Sequence, residues 1–303
     1  MDVTQFSKIP LTYEQQADLL IVRGLIADRN ALIACLQAVN YYRLSGYLFS
    51  FRDGGDSFLP GTSLEKIWRR YAFDRQLRIS ILDAIERVEI STRAALAYEH
   101  AHAYGPFGYT NIANMPNLRK DQYDKLVSSI GEGTKASKET FILHFKTKYG
   151  GTPSHYPPLW MAAELMTMGT TLTFFRGVDI AIKKSVASRF NQPDEVFDSW
   201  LGALHSVRNI CAHHARLWNR ELGITPKIPK ARKHPEWHVP VHIDNRRVFA
   251  ILTVLRYLLA IIAPQSDWPR RLEGLLDSYP DIPLDEMGFP ADWNDCPIWK
   301  SHV

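Results

Sequence analysis

The chain has 303 residues, of which 46% are hydrophobic and 22% charged, a soluble globular balance that accommodates one large domain or two modest ones. A formal net charge of +4 permits contact with nucleic acid but is not the concentrated excess of a dedicated binder. The three scattered cysteines, Cys35, Cys211 and Cys296, exclude a paired-cysteine zinc cluster and a disulfide framework, and they fit a reducing cytoplasm.

Helical signals dominate in chain order. Over residues 12–40 the apolar side chains recur at three and four, with Thr12 and Gln15 spaced as a capping box and Gly24 as a division between two helices. No signal-peptide core precedes them. Residues 40–52 interleave aromatics with Arg43 and Arg52. This run reads first as a packing wedge and second as a surface on which single-stranded RNA stacks. Ser63 caps a long helix reaching Tyr104, with the stripe Leu77, Ile81, Ala84, Ile85, Val88, Thr92 and Ala95. Asp74, Arg78, Glu86, Glu89 and Arg93 on this helix read as i,i+4 pairs or as a buried polar support.

Gly105-Pro106 ends that helix, and shorter helices are expected over 118–130 and 138–148. A helix starts near Leu159 and breaks at Met168-Gly-Thr-Thr171 before another over 172–177. Helices over 180–190 and 194–219 follow, the second capped by Asp194. Residues 223–241, rich in Pro, Lys and His, read as an extended loop. Asp244 opens the last long helix, which ends at Pro264. Its greasy run carries Arg256 and is short for a bilayer, so it reads as buried and no membrane partner is expected. The expected fold is mostly α: N-terminal helices over 1–60, a helical core with inserted loops over 61–264, and an irregular Pro-rich tail over 265–303.

The richest chemistry lies in Arg208-Asn-Ile-Cys-Ala-His-His214. On a continuous helix over 194–219, Trp200, Leu204, Val207, Cys211 and Trp218 form an apolar side. Ser206, Asn209, His213, Arg216 and Arg220 form a polar, cationic stripe. Cleavage of RNA by its own 2′-hydroxyl needs a base, an acid and a cation on the phosphorus. His213 can move the protons and Arg208 can clamp the phosphate, with Asn209 orienting either. Two such stripes across a two-fold axis supply acid and base together, which predicts a homodimer. No metal and no cofactor is called for, and no Gly-rich phosphate loop or paired-carboxylate site is present. The same residues also fit a solvated helix face, and His214 reads as a packing residue.

Glu164, inside an apolar run, reads as a buried carboxylate that pairs with an arginine or positions Arg208. Lys227, Lys230, Arg232 and Lys233, beside His234, form the densest basic cluster. They suit an RNA backbone, as they would a solvated loop.

Several segments carry a resemblance in order. They are Leu11-Thr-Tyr-Glu-Gln-Gln16, Arg23-Gly-Leu25, Asn40-Tyr-Tyr-Arg-Leu-Ser-Gly-Tyr47, Tyr71-Ala-Phe-Asp-Arg-Gln-Leu-Arg78 and Ile85-Glu-Arg-Val-Glu-Ile-Ser-Thr-Arg93. Pro158-Leu-Trp-Met-Ala-Ala-Glu-Leu-Met-Thr-Met-Gly169, Ser199-Trp-Leu201 and 208–220 complete the set. Together they resemble the Abi family of bacterial abortive-infection proteins, the AbiD/AbiF-like group of the HEPN superfamily. The resemblance implies a HEPN-like helical bundle, usually dimeric, with Arg208 and His213 as the catalytic Arg-x4-His pair and Asn209 as their companion. It implies a metal-independent endoribonuclease toxin of phage defence, with RNA as substrate, a small structured regulatory RNA as a further partner, and no DNA. A chain that holds such a regulatory RNA without cutting it is the alternative.

Overall fold

The computed structural model describes residues 9–150 and 156–300. Regular structure among the described residues is helical, with only two isolated backbone bridges, Ile26 to Ser63 and Arg52 to Phe58. This is the mostly α fold expected. By packing, the chain divides into two units. One holds the described residues up to 77 together with 275–282, and the other holds those of 78–274 and 283–303. The boundary between these units falls within a helix.

In the first unit α1 (Tyr13–Val22) opens with the capping box that the spacing predicts. The Gln15 amide donates to Thr12 Oγ1 at 3.3 Å, and the Thr12 amide to Gln15 Oε1 at 2.9 Å. Gly24 turns the chain at φ +97°, and Asp28 caps α2 (Arg29–Val39) by accepting from the Ala31 amide. Asn40 then stands at φ 65°, ψ 147°, close to a conformation populated almost by glycine alone, at a cost of about 1–3 kcal/mol. It opens α3 (Tyr41–Leu48), whose Leu44, Tyr47 and Leu48 are buried. The long α4 (Leu64–Tyr104) begins in this unit after Ser63, and its buried Asp74 accepts a 2.6 Å hydrogen bond from Tyr47 Oη. Arg69 forks onto Asp281, and Tyr279 lies edge-on against Phe73, so segment 275–282 packs beside the start of α4.

The second unit takes α4 from Arg78 onward, with Ile81, Ala84, Ile85, Val88, Thr92 and Ala95 buried as the apolar period requires. It continues through α5 (Lys120–Ala136), α6 (Thr140–Tyr149), α7 (Leu159–Ala162), α8 (Met168–Gly177), α9 (Ile180–Ser188) and α10 (Asp194–Ala212). Then come α11 (Val248–Ile262), α12 (Trp268–Ser278), whose end belongs to the first unit, and α13 (Pro297–Lys300). Eleven positions of α11 are buried, Arg256 among them, in accord with its reading as a buried helix. No helix among the described residues is long and apolar enough to cross a membrane.

Four expectations are corrected. Met168-Gly-Thr-Thr171 does not break a helix but opens α8, because Thr167 Oγ1 accepts from the Thr170 amide and moves the break to Met166 and Thr167. Asp244 does not open α11. Its carboxylate is spent on the Arg246 amide two residues on, a turn that delays the helix to Val248. The stretch 265–303 is not wholly irregular, since α12 buries Trp268, Leu272, Leu275 and Leu276 along one stripe. Finally, α10 ends at Ala212, seven residues before the expected Asn219.

Two outcomes follow from buried polar groups. Tyr47→Phe removes the donor to buried Asp74, so urea unfolding should show a loss of about 1.5–3 kcal/mol; a change under 0.5 kcal/mol would refute that role. His100, fully buried in α4 against Tyr104 and Phe174, has its pKa lowered to about 4, with burial as the largest cause. The unfolded chain therefore binds this proton first. The His100 contribution to stability is constant above about pH 6.5 and falls as the pH drops from there to about 4, by roughly 3 kcal/mol. His100→Leu should flatten that part of the stability profile, and an unchanged slope would contradict the assignment.

Candidate active site

The inner face of α10 explains what its outer face can present. Val196, Phe197, Trp200, Leu201, Leu204, Val207 and Cys211 are buried. At about 100° per residue this leaves Asp198, Gly202, His205 and Asn209 aligned on another side. Against them packs α8. Arg176 forks onto Asp198 at 2.7 and 3.3 Å, and a β-carbon on Gly202 would lie 3.2 Å from the Arg176 guanidinium. A β-carbon on Gly169 would lie 3.1 Å from His205 Nε2. Two glycines thus let the helices close around an arginine and a histidine.

Asn209 is the hub of the outer face. Its carbonyl accepts the His213 amide at 3.0 Å, its Nδ2 stands 3.2 Å from His205 Nε2, and its Oδ1 accepts from Arg208 Nη1 at 3.5 Å. The amide donates and the ring nitrogen accepts, which requires neutral His205. Burial, and next the positive charge of Arg208, hold the His205 pKa below its ordinary value, while Glu89 acts in the opposite sense. Glu89 itself pairs with Arg93 one turn along α4, both largely buried, as the i,i+4 spacing predicts.

Beyond Ala212 the chain makes a Schellman turn. The Ala215 amide donates to the Ile210 carbonyl and the His214 amide to that of Cys211, with His214 at φ 58°. Buried Arg78 donates to the Ala215 carbonyl at 3.3 Å and ties this turn to α4. His213 is the C-cap residue, and both His213 and His214 are exposed, so His214 is not the packing residue expected.

The early end of α10 dissolves part of the expected stripe. Arg208, Asn209 and His213 stay together around the last turn, but Arg216 and Arg220 do not continue it. Arg220 Nε donates back to the Arg216 carbonyl, while the intervening Leu217 and Trp218 are buried. Glu164 is exposed, because the short helical turn after α7 directs it outward, and among the described residues it makes no ion pair. It lines a cleft with Trp160, Tyr98 and His102 and is not the buried carboxylate expected from its apolar neighbours.

Lys227, Lys230, Arg232 and Lys233 are all exposed. The Lys227 amide donates to Ser199 Oγ, and its ammonium stands 3.6 Å from Glu195. Ser199 precedes Arg208 by nine residues, about 13 Å of helix rise, so Lys227 lies toward the opposite end of α10 from His213. The loop is held by Trp200 Nε1 on the Lys227 carbonyl and by Trp237 packed on Trp200. His205 and the Arg176–Asp198 pair were missed by sequence reasoning. The His205–Asn209 spacing of four was the available signal.

The left-handed position of His214 strains a residue that carries a β-carbon. His214→Gly should be more stable than His214→Ala by about 1 kcal/mol in urea unfolding, since both lose the imidazole and only alanine keeps the strain. Equal stabilities would refute the left-handed turn.

A family profile described as Abi-like protein matches residues 34–219, from α2 through the turn after α10. A search of curated proteins gives no match, and neither does a search of solved structures. The match spans more than half of the chain, and the protein belongs to the Abi-like family, a membership that points to abortive infection in phage defence.

Proposed function

We propose that this protein is a HEPN-type endoribonuclease toxin that cuts RNA without a metal. The observation that carries the reading is the arrangement around Asn209, which joins Arg208, His205 and the exposed His213 at one end of α10. The 2′-oxygen of a ribose attacks the adjacent phosphorus, the bond to the 5′-oxygen breaks, and a 2′,3′-cyclic phosphate is left. His213 takes the hydroxyl proton or returns one to the leaving oxygen, and Arg208 holds the phosphate as negative charge gathers on it. Two chains across a two-fold axis would bring two His213 side chains to one phosphate, so that one acts as base and the other as acid.

The test is incubation of the purified protein with total cellular RNA in EDTA, beside Arg208→Ala and His213→Ala. Wild type should release fragments ending in cyclic phosphate, and each variant should be slower by about 10²–10⁴-fold. Equal cleavage by all three would overturn the assignment. Intact RNA that copurifies with an inactive wild type would favour an RNA-holding protein instead.

A further inference from the structure

The aromatic run over 40–52 separates into two halves in the first unit. Leu44, Tyr47 and Leu48 enter the core, which answers the packing reading. Tyr41, Tyr42 and Arg52 instead line a cleft of about 690 Å³ together with Arg23 and Asp56. Tyr42 is 83% exposed and meets Tyr41 edge to face at 6.5 Å. Between these features stands Asn40 in its glycine-like conformation, and it also lines an adjoining cleft of about 410 Å³. That second cleft carries Glu14 and no cation, so any anion contact belongs to the first.

Two guanidinium groups converge there on one carboxylate. Arg23 Nη2 lies 2.8 Å from Asp56 Oδ2, and Arg52 Nη1 lies 3.7 Å from Asp56 Oδ1. The arginine side chains are mostly covered, whereas that of Asp56 is 69% exposed. Asp56 sits in a glycine-rich turn, two residues after Gly54 at φ +97°. An exposed carboxylate is held only weakly by such pairs. A phosphodiester brings the same charge and two oxygens suited to arginine forks. Beside it, an exposed phenol ring offers a face to an unpaired base.

We propose that this cleft binds single-stranded RNA. Arg23 and Arg52 take one phosphodiester in place of Asp56, and Tyr42 stacks on the neighbouring base. The site lies in a different unit from Arg208 and His213 and uses none of their chemistry. That the strand is RNA rests on the reading of the protein as a ribonuclease. Selection of a single strand over a duplex follows from the cleft, because the ring needs a base free of its partner.

The experiment uses the full chain carrying His213→Ala, so that RNA stays intact, and a fluorescein-labelled single-stranded RNA about 12 nucleotides long read by anisotropy. In that background Tyr42→Ala should weaken binding about 5- to 100-fold, and Tyr42→Phe should restore it. Arg52→Gln should lower the salt slope by about 0.7. Asp56→Asn should tighten binding, because the competing carboxylate is gone. Unchanged affinity for Tyr42→Ala with an unchanged slope for Arg52→Gln would overturn the site, as would an absence of binding. Cleavage by the His213-intact chain is scored separately. If it cuts RNA while these variants bind normally, the cleft fails and the nuclease reading stands. If it cuts nothing while binding depends on Tyr42 and Arg52, the nuclease reading fails and the cleft stands.

Discussion

Burial of the inner face of α10 is the constraint from which the site follows. Once Phe197, Trp200, Leu204 and Val207 are sealed in the core, the helical period leaves no freedom over which residues face away. Asp198, His205 and Asn209 fall in line, and α8 can close on that line only where Gly202 and Gly169 omit a side chain. A β-carbon at either position would sit at a distance that forces the arginine or the histidine to yield. Rigid apolar packing on one side and two missing side chains on the other therefore set the spacing of the polar groups. This is a sound basis for orienting ionisable side chains, since their own hydrogen bonds are individually worth only about 1 kcal/mol.

The way α10 stops matters as much as the way it packs. A helix that continued to Asn219 would have carried Arg216 and Arg220 along the same stripe as His213. The Schellman turn instead satisfies the carbonyls of Ile210 and Cys211 within the chain and swings the backbone away, with buried Arg78 holding the Ala215 carbonyl. His213 is thereby left at the helix end with its ring in solvent. The left-handed residue of this turn is a histidine where glycine would be relaxed, so local backbone strain coincides with the candidate chemistry.

Much of this was legible in the sequence, for definite reasons. Apolar periodicity located α1, α2, the stripe of α4 and the buried α11, because burial and helical period are the same fact seen from two sides. The period failed where burial outlasted the helix. Leu217 and Trp218 kept the apolar spacing going although they lie in a buried loop, and without glycine after His213 nothing marked the stop. Glu164 misled in a related way, since apolar neighbours along the chain are not neighbours in space when a short turn redirects the backbone. Arg208 and His213 could be singled out from their spacing only as candidates. His205 could not be given a role until α8 was seen against it.

Arg208 has a second effect that spacing alone did not suggest. Its charge lies close enough to His205 to add to burial in holding that imidazole neutral, and a neutral ring is what accepts the Asn209 amide. The amide oxygen is then left facing the Arg208 guanidinium. Any anion that pairs with Arg208 offsets the same positive charge and so weakens one of the two causes that depress His205. An anion at Arg208 therefore favours protonation of His205 by the direct charge effect, at the expense of the hydrogen bond that the neutral ring accepts from Asn209.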